Sequence, residues 1–107
     1  MSVGCVPIHE NKINSFEARM KIDSCLDLIS KNSSKKALNM CSKIVEKFPN
    51  YPEPLVDRSL IYTLLGEEKL ACKDIKSAMS LINDKSIERD PLIKYQVQVR
   101  YNSCKKL

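Results

Sequence analysis

Glycine is scarce, with 2 residues, and tryptophan is absent. Aromatic residues make up 6% of the chain. Such a composition suits packed helices better than a sandwich or barrel with many turns. No run approaches the roughly 18 apolar residues that a membrane-crossing helix needs. The opening MSVGCVPIHENK has no apolar stretch of signal-peptide length. Histidine occurs once, as His9. There is no Ser–His–Asp set with helical support, no glycine-rich phosphate loop and no His-x-x-x-His pair. Cys5 and His9 lack two further nearby ligands for a metal. The sequence therefore points to no enzyme, no metal, no cofactor and no membrane span.

What is present is one small domain of 107 residues with a formal net charge of +5. Basic residues are spread along the chain and mixed with acids, which describes solvated helix faces. The one dense basic cluster is terminal: Arg100, Lys105 and Lys106. A nucleic-acid surface would align Lys and Arg along one stripe with interleaved aromatics, and this chain has no such stripe. The 5 cysteines, at 5, 25, 41, 72 and 104, are odd in number and include no Cys-x-x-Cys pair. They read as reduced thiols used as small apolar residues in a cytoplasmic protein. Cys25 and Cys41 could meet across a helix hairpin, but nothing in the sequence requires a bond.

Residues 1–15 read as an irregular arm, since Pro7 disfavours helix before it. The domain follows over residues 16–104. Five helices are expected. The first runs from about Phe16 to Ser30, with Asn14 and Glu17 spaced as a capping box. The second runs from about Lys35 to Phe48 and is stopped by Pro49. The third runs from about Glu53 to Leu65, with Pro52 and Pro54 tolerated at its start and Gly66 at its end. The fourth runs from about Glu67 to Ile82, with Glu67, Glu68 and Asp74 on its outer, solvated side. Asp90-Pro91 marks a fifth start, an N-cap oxygen followed by proline at the first helical position, and that helix reaches about Cys104.

An internal repeat underlies this layout. Ala37, Cys41, Ile44 and Pro49 recur as Ala71, Ile75, Ala78 and Asn83, the two sets being 34 residues apart. That period, with small residues where two helices approach, resembles the tetratricopeptide repeat. The likeness is good over 52–85 and looser over 18–51. It implies an all-α fold of antiparallel helix pairs, with the last helix covering the exposed end of the array.

In tetratricopeptide repeats the first helix of each pair lines a concave face. The register carries Ile22, Leu26, Ile29, Val56, Leu60 and Leu64 onto that face. Six aliphatic side chains suit an amphipathic partner helix rather than a charged peptide. The bland alternative is that the fifth helix and the N-terminal arm fill the groove themselves.

A narrower likeness rests on KKALNMCSKIV, FPNYPEPLVDRSLIYTLLG and ERDPLIKYQVQVR. With the length, these are similar to the small tetratricopeptide chaperones of type III secretion needles, the YscG/PscG type. The resemblance implies a cytosolic chaperone whose groove holds the needle subunit's helix and prevents premature polymerisation. It also implies a second partner, a small helical co-chaperone, with Val3, Val6, Ile8, Phe16 and Met20 as its candidate surface. A generic scaffold that assembles another complex is the alternative reading. Self-dimerisation through the groove is equally compatible with the pattern.

Overall fold

In the computed structural model of the chain, residues 33–106 are described. They form four helices and, among the described residues, no strand. These are α1 (Ser34–Lys47), α2 (Pro52–Leu64), α3 (Glu68–Ile82) and α4 (Pro91–Cys104). The helix expected from about Phe16 to Ser30, and the arm before it, lie outside the described residues.

Helix α1 buries Ala37, Cys41 and Ile44, spaced four and three residues apart on one helical stripe. Its last turn closes when the Phe48 N–H donates to the Ile44 carbonyl, and Pro49 then prevents continuation. Phe48 meets Tyr51 edge to face, with ring centroids 5.7 Å apart. This contact braces the short corner into α2.

Helix α2 is the central element. Pro52, Pro54, Leu55, Val56, Asp57, Ser59 and Ile61 are all buried, which is more of its circumference than a single neighbour could cover. It packs against each of the other three helices. The two prolines fall in the first turn, where an N–H has no intrahelical acceptor to lose. At the far end Gly66 adopts φ +78°. The Glu67 N–H donates to the Tyr62 carbonyl at 2.8 Å and the Gly66 N–H to Thr63 at 3.0 Å. That pair of bonds is the Schellman closure, which needs a left-handed residue in the middle.

Helix α3 repeats the logic of α1, burying Ala71, Ile75 and Ala78. The six helix positions that match at the 34-residue spacing are thus all interior, three on each helix. Asp84 starts the loop toward α4 and accepts from both the N–H and the hydroxyl of Ser86. Asp90 then caps α4, its carboxylate accepting from the Leu92 N–H at 2.9 Å. Arg89 reaches back and donates to the Asn50 carbonyl at 2.9 Å, tying this loop to the α1–α2 corner.

The core has two parts, one on each side of α2. Ala37, Cys41, Ile44 and Ile61 form one. Leu55, Val56, Ile75, Ala78, Ile93 and Val97 form the other. Fully burying an aliphatic side chain stabilises by about 1.5–3 kcal/mol, so the second cluster holds α4 in place.

Two sequence expectations are corrected here. Asp74 is not solvated: it is buried at 4% exposure on the inner stripe of α3, held there by an arginine from α2. The cysteines are not all free thiols either. Antiparallel packing sets the start of α3 beside the end of α4, and Cys72 bonds to Cys104 with the Cα atoms 5.6 Å apart. Cys41 is also disulfide-bonded.

Candidate partner-helix groove

The expected groove row on α2 is Val56, Leu60 and Leu64. An α-helix advances about 100° per residue, so each four-residue step turns about 40° further round the axis. Over two such steps the row leaves the core. Val56 is 5% exposed, Leu60 42% and Leu64 64%. Val56 belongs to the interior cluster and offers no surface to a partner. Leu60 and Leu64 remain as an open apolar pair one turn apart. Their side of α2 faces away from α3, because Arg58 points at α3 and Leu60 lies two residues, about 200°, further round.

Ile22, Leu26 and Ile29, expected on the same face, lie outside the described residues. So do Val3, Val6, Ile8, Phe16 and Met20 of the candidate co-chaperone surface. On α4 a second exposed row recurs at spacings of three and four: Leu92 at 62%, Tyr95 at 67% and Val99 at 46%.

Two polar assemblies fix α2 between its neighbours. On the α3 side Arg58 forks onto Asp74, Nε to Oδ2 at 2.8 Å and Nη2 to Oδ1 at 2.7 Å. Its third nitrogen, Nη1, donates to Ser42 Oγ of α1 at 3.4 Å. The guanidinium also sits 5.7 Å from the Tyr62 ring centroid, within cation–π range. One side chain thus joins three helices. The hydrogen bonds to Asp74 lift Arg58 above its ordinary pKa against the opposing effect of burial.

On the α4 side Arg100 reaches across to α2. Its Nη1 donates to Ser59 Oγ at 2.6 Å and to the Val56 carbonyl at 3.4 Å, and Nη2 donates to Thr63 Oγ1 at 3.4 Å. Ser59 in turn donates to the Val56 carbonyl at 2.6 Å. No carboxylate among the described residues pairs with Arg100. Burial alone pulls its pKa below the ordinary value. Beside it lies a cleft of about 240 Å3 lined by Thr63, Glu68, Ala71, the Cys72–Cys104 bond and Ser103.

No family model, no curated protein and no solved structure matches this chain. The site must therefore be read from its own chemistry. Among the described residues there is no group of His, Cys, Asp and Glu that could hold a metal ion, and no helix long and apolar enough to cross a membrane. The accessible features among the described residues include apolar rows, the cleft beside Arg100 and a second cleft of about 340 Å3 lined by Arg58, Lys73 and Asp74. These surfaces can bind.

In the sequence Asp74 reads as solvated, Arg100 only as part of a terminal basic cluster, and Arg58 stands out in no way. A signal existed for Asp74. It stands three residues after Ala71 and four before Ala78, on the stripe that faces inward. No comparable signal marked Arg100, whose acceptors lie about 40 residues earlier in the chain.

Proposed function

We propose that this chain is a protein-binding helical-repeat module of tetratricopeptide type, which holds an amphipathic partner helix along the open side of α2. One observation carries the reading. Leu60 and Leu64 are exposed, one turn apart, on the helix that is otherwise the most enclosed in the fold. Covering both would stabilise a complex by up to about 1.5–3 kcal/mol per side chain, less the cost of ordering the partner. An i, i+4 apolar pair on a helix is the footprint that another helix lays into.

The narrower form of the proposal is the chaperone one. The partner is then the needle subunit of a type III secretion system, held in the cytosol with a small helical co-chaperone. Covering an apolar helix face there would block the head-to-tail contact that drives open-ended assembly. The second reading is a scaffold that assembles some other complex. The disulfide-bonded cysteines at 41, 72 and 104 favour it, because such bonds persist in oxidising compartments and are rare in a reducing cytosol.

Co-expression with a needle-type subunit tests the groove. The Leu60→Asp/Leu64→Asp double variant is expected to lose the complex while keeping its helix content by circular dichroism. Both side chains are already accessible, so the stability cost is within about 1 kcal/mol. Co-purification of the double variant at wild-type yield would remove the α2 groove. Thiol counting by alkylation and intact mass, on protein from its own cells, separates the two readings. Free thiols support the cytosolic chaperone, and disulfides support the scaffold.

A further inference from the structure

We propose that the cleft beside Arg100 is a thiol–disulfide exchange site at which a small thiol bearing a carboxylate reduces the Cys72–Cys104 bond. Three observations meet there. Both cysteines are only half-buried and line the cleft wall. Arg100 lines the same cleft, one helical turn before Cys104, and no described carboxylate pairs with it. The volume, about 240 Å3, admits a small thiol with room to spare. The hydroxyl and carbonyl acceptors of Arg100 all come from α2, so among the described residues no anion pairs with its charge toward the cleft. An electropositive, partly open setting is where sulfur chemistry becomes accessible. Glu68 is the opposing charge on the rim, and it is exposed to solvent.

The exchange balances without any further reagent. The thiolate of the small molecule attacks one sulfur of the Cys72–Cys104 bond. That bond breaks, a mixed disulfide forms, and the other cysteine leaves as a thiolate. A second small thiol attacks the mixed disulfide and releases the small-molecule disulfide and the second cysteine thiolate. Two electrons pass from the two small thiols to the protein, and their two protons end on Cys72 and Cys104. Arg100 does no bond-making. It is a positioning residue that holds the carboxylate and favours the departing thiolate.

Reduction rates of the full chain test this, read by mass spectrometry of the Cys104 peptide after alkylation. The probes are mercaptoacetate, 2-mercaptoethanol and cysteamine, which are anionic, neutral and cationic. Each rate is divided by that thiol's rate with a small uncharged disulfide, which removes differences in intrinsic nucleophilicity. Mercaptoacetate is expected to be favoured over 2-mercaptoethanol by about five-fold, the value of one unit-charge contact near 4 Å in a water-like dielectric. Arg100→Gln is expected to abolish the preference. Lys76→Gln removes the same charge from an exposed site on α3 and is expected to keep it. Glu68→Gln is expected to enlarge it. Because Arg100→Gln also loses bonds to α2, the wild-type preference is measured again in urea strong enough to unfold the chain, where it must vanish. No preference in the native wild type would overturn the proposal. So would a preference that survives Arg100→Gln or unfolding, or one that Lys76→Gln lowers equally.

Discussion

The Arg58–Asp74 fork makes a quantitative claim about stability. The Asp74 side chain is 5% exposed and that of Arg58 20%. Removing the arginine strands a carboxylate in the interior. For fully buried pairs that costs about 3–5 kcal/mol. Arg58 is partly open to water, so about 2–3 kcal/mol is expected for Arg58→Met after allowing for solvent screening. The reverse change should cost less. In Asp74→Leu the arginine retains Ser42, the Tyr62 ring and access to solvent, and about 1 kcal/mol is expected, the ordinary size of a lost hydrogen-bonded contact. The double variant, with an apolar pair in the same space, should lie within about 1 kcal/mol of wild type. These values give a coupling energy of about 2–4 kcal/mol. Urea denaturation of the four proteins at neutral pH measures it from the midpoints, provided that the slopes agree. A coupling below about 0.5 kcal/mol, or Asp74→Leu costing more than Arg58→Met, would refute the reasoning.

Three other predictions follow from the same structure. Cys72 and Cys104 are 32 residues apart, and closing a loop of that length stabilises by about 3–4 kcal/mol in the chain-entropy picture; the Cys72→Ser/Cys104→Ser variant should lose that much in urea melts against oxidised wild type, and an unchanged midpoint would contradict it. Asp90→Ala removes the side-chain acceptor for the Leu92 N–H and should cost about 1 kcal/mol, whereas Asp90→Asn should restore most of it. Asp84 accepts from the Ser86 hydroxyl and N–H, which hold its pKa below the ordinary carboxylate value. The stability it contributes is therefore present above the unfolded pKa and lost as pH falls through the folded one. Ser86→Ala should raise that pKa in a carboxyl-resolved NMR titration, and no movement would show the hydroxyl to be irrelevant.

Much of the helical layout was legible in the sequence because punctuation and periodicity agreed. Asp90-Pro91 opens α4 as expected, Gly66 ends the turn after α2, and Pro49 ends α1. Each of these residues acts locally through its own φ or its own side-chain oxygen, so neighbours in sequence suffice to read it. The interior positions of α1 and α3 were legible for the same reason. Partners distant in sequence were not. Asp74 reads as solvated because charge outweighs periodicity in any local rule, and its arginine lies 16 residues away. Cysteine pairing requires knowing which helix ends are adjacent, and that is a tertiary fact. Val56 groups with Leu60 and Leu64 in the sequence because a four-residue spacing reads as one face. The small angular drift of the helix carries the first of the three inside and the last of them out.

At Gly66 a Cβ would meet no heavy atom within 4 Å, while φ is +78°. The corner therefore has room for a side chain and objects only to its chirality. An L-alanine would be strained there by roughly 1–2 kcal/mol, although nothing touches it. The mirror-image D-alanine finds this φ favourable and, by narrowing the unfolded ensemble, would stiffen the bend between α2 and α3. Here the fold discriminates handedness rather than size.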